Sequence, residues 1–154
     1  MPVSPHIARL RAQVGHDLLL LPSVGVLPED DAGRVLLVRQ TDFGTYGTIG
    51  GAVDEDESPA DAARREAREE TGLEVELTGI LAALGGPDFR ITYPNGDRTA
   101  YVSVLYAARV TGGLARPDGA ETDDLRWFTR EELAAAHAPL GDFARATFRA
   151  LDWI

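Results

Sequence analysis

Apolar residues along this chain fall into short runs divided by glycine, proline and acidic clusters, and the period of the runs changes from one to the next. Ile7, Leu10 and Val14 recur at helical spacing, which predicts a short amphipathic helix over residues 4–15. Leu18 to Leu27 and Val35 to Arg39 are continuous apolar runs on either side of Pro28-Glu29-Asp30-Asp31-Ala32-Gly33, the pattern of two strands joined by a turn. Residues 44–53 are rich in glycine but carry Tyr46, Ile49 and Val53, so they read as a strand whose paired glycines serve a close backbone approach. Ser58 before Pro59 is a helix start and Gly72 the matching stop. Between them lie mostly strong helix formers. Further on, Leu73 to Leu84, Phe89 to Tyr93 and Thr99 to Val110 read as strands, the last two joined by the turn at Tyr93-Pro94-Asn95-Gly96-Asp97. Residues 111–124 read as a loop, Leu125 to Phe128 as a short strand, and two helices follow, one capped by Thr129 and running to about Ala136, the other over residues 143–151. Strands alternating with one central helix, followed by a helical C-terminus, predict an α/β protein in which helices cover a mixed sheet.

Length narrows this to one domain, since 154 residues build one sizeable core and not two; residues 1–154 are taken as a single domain. The content of 44% hydrophobic and 26% charged residues is that of an ordinary globular chain. No cysteine is present, which excludes disulfides and thiolate metal sites and fits a cytoplasmic location. The opening residues Met1 to His6 lack the pattern of a secretory signal, and the apolar stretch around Leu18 to Leu21 is far short of the roughly 20 residues that cross a bilayer. Formal net charge is −10, and all basic residues are arginine, clustered only at Arg64, Arg65 and Arg68. Such a chain repels long nucleic acid, whereas a small phosphate ligand can bind if divalent cations bridge the two negative partners.

The chemistry concentrates on the helix that begins at Pro59. At about 100° per residue, Glu66, Glu69 and Glu70 share one arc, beside a stripe formed by Ala60, Ala63 and Ala67 that lets the helix sit close to a sheet. Glutamates on a helix are commonly a solvated face. Here, however, like charges three and four apart cost about 0.2 to 0.5 kcal/mol per pair, and Glu69 and Glu70 also face the negative end of the helix dipole. A hard divalent cation removes that penalty, and magnesium prefers carboxylates, carbonyls, water and phosphates.

Gly51, Glu57 and the run Arg65-Glu66-Ala67-Arg68-Glu69-Glu70-Thr71-Gly72-Leu73 stand at the spacing Gly-x5-Glu-x7-Arg-Glu-U-x-Glu-Glu-x-Gly-U, where U is aliphatic. This resembles the signature of the Nudix hydrolase family. At ordinary residue frequencies the seven fixed positions would coincide at a given start roughly once in ten million to a hundred million trials. The likeness extends more loosely from Leu10 to Phe128. It departs from the family at Tyr46, where tryptophan is common, and at Thr48-Ile49, where a Leu-Pro pair is common; both departures bear on substrate fit and leave the acidic residues untouched.

The resemblance implies an α/β/α sandwich with a mixed sheet and a loop-helix-loop catalytic box. It implies a catalytic set of Glu66, Glu69, Glu70 and Arg65, with Arg65 bracing Glu57, and magnesium as the cofactor, with manganese as a possible substitute. The implied metal ligands are Glu69, Glu70, the carbonyl of Gly50, Glu66 as ligand or general base, and a carboxylate from a distant loop, for which Glu121 is the candidate and Asp123 or Asp124 the alternates. The implied activity is hydrolysis of a phosphoanhydride bond in a nucleoside diphosphate derivative, such as a nucleotide sugar, ADP-ribose, a dinucleoside polyphosphate or a nucleoside triphosphate, by a monomer or homodimer. A domain of the same fold that senses a nucleotide without turning it over is the rival expectation.

Outside the box the residues leave alternatives open. Phe89, Tyr93 and Tyr46 either stack on a nucleobase or fill the core. Arg39, Arg90 and Arg98 either hold phosphate or face solvent. His6, His16 and His137 lack metal-ligand spacing and read as surface or capping residues, and Asp54-Glu55-Asp56 reads as a solvated loop.

Overall fold

A computed structural model describes residues 3–154; Met1 and Pro2, the first residues of the stretch compared with a secretory signal, lie outside the described residues. The frame is a pair of sheets. Strands β1 (Leu19–Pro28), β4 (Ile49–Ala52), β5 (Leu73–Leu84), β6 (Arg90–Thr92) and β7 (Arg98–Gly113) form the larger, in the order β4-β1-β7-β5 with β6 on β7. It is mixed, because β1 and β7 run parallel over ten residue pairs while the other neighbours are antiparallel. The smaller sheet is antiparallel, with β2 (Val35–Gln40) between β3 (Thr45–Gly47) and β8 (Thr122–Phe128).

The continuous apolar runs arise because β2 and the end of β1 are covered on both faces. Successive side chains point to opposite sides of a strand. Val35 and Leu37 therefore join Leu27, Leu105 and Phe128 in one cluster, while Leu36 and Val38 join Val24, Val26 and Ile49 in another. The first cluster is closed by α3 (Arg130–Ala134) and α4 (Asp142–Ala150) through Leu133, Ala144 and Phe148. The second is closed by α2 (Pro59–Thr71) through Ala62, Ala63 and Ala67, each with no exposed surface. Ala62 thus takes the place expected of Ala60, which is half-buried. Helices on both sides of the sheets make the α/β/α sandwich. The first helix, α1 (Pro5–Val14), buries no residue fully and lies on the surface, and no helix among the described residues is long and apolar enough to cross a membrane.

Two expectations need correction. Residues 44–53 form two strands in different sheets, β3 and β4, separated at Thr48. Residues 111–124 are a loop only in their middle. Strand β7 continues to Gly113 because Gly112 and Gly113 stay paired with Glu74 and Leu73, and β8 begins at Thr122, paired with Gln40. Gly113, at φ 87°, sits so close to Gly72 that a side chain would strike its carbonyl oxygen. Its glycine marks a close approach between strands, which local composition does not distinguish from a turn.

Candidate active site

Helix α2 starts where the sequence signals place it. The Ser58 hydroxyl accepts a hydrogen bond from the Asp61 amide at 3.1 Å, Pro59 occupies the first turn, and Gly72 ends the helix at φ 70°. The preceding loop is clamped onto the helix by Arg65. Its guanidinium donates to both carboxylate oxygens of Glu57, at 2.7 and 3.0 Å, and to the Ala52 carbonyl at 3.1 Å. Its remaining nitrogen donates to Glu66 at 2.8 Å and to Glu69 at 3.0 Å. One arginine thereby spans the loop, the end of β4 and two of the three glutamates. These pairings hold the Glu57 carboxyl below its usual range.

The three glutamates differ in environment. Glu66 and Glu70 are buried, 5% and 4% exposed, whereas Glu69 faces solvent on the same helix. Burial pushes Glu66 up to about 7 despite the neighbouring Arg65. Burial also raises Glu70 well above its ordinary value, and the charge of Glu66 adds to the shift. The Glu70 carboxylate accepts a hydrogen bond from the Gly50 amide at 3.1 Å. At Gly50 a side chain would collide with the Val24 carbonyl of β1, and at Gly51 with the Glu66 carboxylate, so the first glycine lets β4 lie close to β1 and the second lets it lie against the acidic face.

Glu121, half-buried, reaches the same region from the loop between β7 and β8. Its charge acts on both Glu66 and Glu70, and burial raises its own carboxyl. Two contacts hold it there. The Asp118 carboxylate accepts hydrogen bonds from the amides of Ala120, Glu121 and Thr122, each at 2.9 Å, and the Glu121 carbonyl accepts one from the Thr41 amide at 2.9 Å. The alternates point to other partners: Asp123 pairs with Arg39 at 2.7 Å, and Asp124 accepts the Tyr46 hydroxyl.

Among the described residues no three His, Asp or Glu side chains converge on one point, and Arg65 lies between Glu66 and Glu69. The donor set nevertheless suits a hard divalent cation. Two buried carboxylates, served by one amide and one guanidinium nitrogen, retain unshared oxygen lone pairs in a place where uncompensated charge is costly. Glu66, Glu69, Glu70 and Glu121 are carboxylate donors in this region, with Asp42 and Gly50 on the same cavity walls.

Two cavities open on the carboxylates. One, of about 440 Å³, is bordered by Glu70, Gly50 and Gly51 and by Phe43, Tyr93 and Arg90. The other, of about 490 Å³, is bordered by Arg65, Glu66, Glu69 and residues of α1. Asp42, Tyr93, Tyr101 and Glu121 border both.

These cavities sort the open alternatives. Phe89 is core, packed edge-on against Phe143, and Tyr46 packs edge-on against Phe128 with one side on the first cavity. Tyr93 lines both cavities and shares a hydroxyl hydrogen bond with Tyr101. Arg39 pairs with Asp123 and Arg98 lies 3.7 Å from Asp17, while Arg90 borders the first cavity with no ion pair among the described residues. His6 pairs with Glu55 and His16 with Asp97, and His137 is exposed. The Glu55 contact gives a partner to a residue read as merely solvated. Asp118, Asp42 and Phe43 were not singled out from sequence. The Asp118-Gly119 pair carries a turn signal, but nothing local shows that the turn orients Glu121 toward a distant helix.

The chain is similar to known proteins in sequence and in fold. A NUDIX domain family model matches residues 19–151. A MutT-like protein from Streptomyces ambofaciens is 33% identical over 113 residues, 71% of this chain and 64% of that protein. A Bacillus subtilis strain 168 protein, provisionally named an 8-oxo-dGTP diphosphatase, is 32% identical over 114 residues, 74% of this chain and 70% of that one. The crystal structure of a MutT protein from Methanosarcina mazei Go1 superimposes with a TM-score of 0.73 at 20% identity, covering 88% of this chain and 95% of that one, which establishes the shared fold. With the matched domain spanning nearly all of its sheets and helices, and the signature lying on α2 and its flanking loop, the chain belongs to the Nudix hydrolase family.

Proposed function

We propose that this protein hydrolyses the phosphoanhydride bond of a nucleoside diphosphate derivative with magnesium as cofactor. The observation that carries the reading is the pair of buried carboxylates, Glu66 and Glu70, at the junction of two cavities of small-molecule size. The names of the Streptomyces and Bacillus relatives are in keeping with it.

Glu66, Glu69, Glu70 and Glu121 would hold the cation, which supplies charge neutralisation on the phosphoryl oxygens and a more acidic water. The rest falls to the chain itself. Glu66 serves either as a further ligand or as the carboxylate that accepts the proton of the attacking water. Arg65 keeps Glu66 and Glu69 in register with the loop at Glu57. The water oxygen forms a bond to one phosphorus as the bond from that phosphorus to the bridging oxygen breaks. The bridging oxygen departs with the electron pair on the other phosphate, and the water proton passes to the carboxylate and on to solvent. Phe43 and Tyr93, with ring centroids 6.0 Å apart at the first cavity, offer aromatic faces to a nucleobase, and Arg90 offers a cation to a phosphate.

The test is a screen of the purified protein against a nucleotide panel with magnesium or manganese, products being identified by mass. Glu70→Gln and Glu69→Gln are each expected to lower turnover at least about 100-fold with the fold retained. Unchanged metal-dependent turnover in both variants removes this site from the mechanism. Calorimetric binding of a nucleotide with no product over hours supports a sensing domain instead.

A further inference from the structure

Among the described residues the buried serines and threonines are Ser23, Thr71, Thr99, Ser103, Thr122 and Thr147. The threonines are all paired. Thr71, Thr122 and Thr147 donate to the carbonyls of Ala67, Glu70 and Phe143, and Thr99 accepts from Arg11. The hydroxyls of Ser23 and Ser103, residues only 6% and 2% exposed, have no hydrogen-bond partner among the described residues. Neither is sealed inside the protein, since the one sealed side-chain atom without a partner is a nitrogen of Arg130. Both serines border the first cavity, and that is the open space their hydroxyls reach.

Ser23 and Ser103 are paired in register on the parallel strands β1 and β7, so they lie side by side on one face of the larger sheet. Their neighbours on that face are apolar: Leu27 and Leu105 further along the two strands, and Leu84, paired with Ser103 from β5, all belong to the first cluster. An aliphatic residue at either position would extend this cluster, whereas a hydroxyl that loses water and gains no partner is destabilising. A ligand that displaces water from this floor must therefore supply the partners itself. Phe43 and Tyr93 at the same cavity offer ring faces, and a planar base packed on them turns its rim, which carries its polar atoms, toward the surrounding wall. A serine hydroxyl both donates and accepts, so two side by side can match a donor and an acceptor on that rim. Ser23 stands opposite Ala52 of β4, next to Gly51, and Ser103 lies one strand further out. The pair thus leads away from the carboxylates of α2, the direction a nucleoside takes from a diphosphate held there.

We propose that Ser23 and Ser103 are specificity-determining residues for the base, their hydroxyls reading its hydrogen-bonding rim on the floor of the first cavity. The inference rests on the reading that this cavity receives the nucleoside, and it names the residues that choose among bases. Both stand on strands outside α2 and its flanking loop, so the choice of base is set apart from the carboxylates.

The test measures kcat/KM with magnesium in two series within which only the base changes: ATP, GTP, CTP and UTP, and ADP-, GDP-, CDP- and UDP-glucose. In one series the parent is expected to prefer one base over another at least about tenfold, and the Ser23→Ala, Ser103→Ala double variant to reduce that ratio at least about fivefold. Reading a ratio separates lost recognition from lost folded protein, which lowers every member alike. Without ligand the double variant is expected to melt no lower than the parent, because the two hydroxyls make no bond inside the protein. A lower melting temperature, no base preference in the parent, or a ratio unchanged in the double variant overturns the assignment. An unchanged ratio includes an equal loss for every base, which is what contact with ribose or phosphate would give. Any of these results with turnover present leaves the hydrolase reading standing. If no member is turned over, that reading falls and the same ratios are taken from dissociation constants, where absence of binding overturns both.

Discussion

Glu66 and Glu70 show what it costs a fold to bury carboxylates. Both keep a proton to higher pH in the folded chain than in the unfolded one, where glutamate titrates near 4.5. Between about pH 5 and 8 the folded state therefore binds more protons, so this contribution to stability is complete at the acid end and is lost as pH rises through the folded value of about 7 for Glu66. The melting temperature of metal-free protein is expected to fall as pH is raised across that window, measured by calorimetry in a chelating buffer. The slope should flatten in the Glu66→Gln, Glu70→Gln double variant. In the same buffer near pH 8, Glu70→Gln alone should melt higher than the parent, because an amide retains the hydrogen bond from Gly50 without a buried charge. A lower melting temperature for this variant would mean that the charge is already compensated inside the protein.

At the scale of elements, the tightest constraint is the approach of β4 to β1 and α2. Gly50→Ala places a methyl group against the Val24 carbonyl, a backbone atom that cannot swing aside. A loss of about 2 kcal/mol is expected, lowering the melting temperature by roughly 5 °C, as denaturant titration and calorimetry can establish. An unchanged midpoint would show that β4 shifts freely. The same region marks where sequence reading succeeds and where it stops. Helix α2 was legible from end to end because its signals are local: a serine cap, a first-turn proline and a left-handed terminal glycine. The strands of β1 and β2 were legible as apolar runs. The break at Thr48 and the extension of β7 through Gly112 and Gly113 were not, since both depend on which strand lies alongside. The site divides in the same way. Shared helical spacing grouped the three glutamates, but it could not show that Glu66 and Glu70 turn inward while Glu69 faces solvent, nor that Phe43 and Asp118 reach the site from loops.

For the molecule as a whole, the two apolar clusters share β1, β2 and β7, with α4 on one side and α2 on the other. Neither side can open without exposing strands that the other needs. A single calorimetric transition is expected, with the ratio of calorimetric to van't Hoff enthalpy about one. Phe148→Ala, which empties a fully buried position stacked on Trp153, should cost about 3 to 5 kcal/mol without splitting the transition. Two resolved transitions would show that the layers melt separately.

Helix α1 stands apart from this cooperative body, since none of its residues is fully buried. Substitutions at its exposed positions escape the penalty that repacking a core imposes. Natural variation or deliberate grafting can therefore reshape this surface while the carboxylates of α2, and the framework that carries them, stay constant. Residues Pro5–Val14 thus become an exchangeable module on a constant frame.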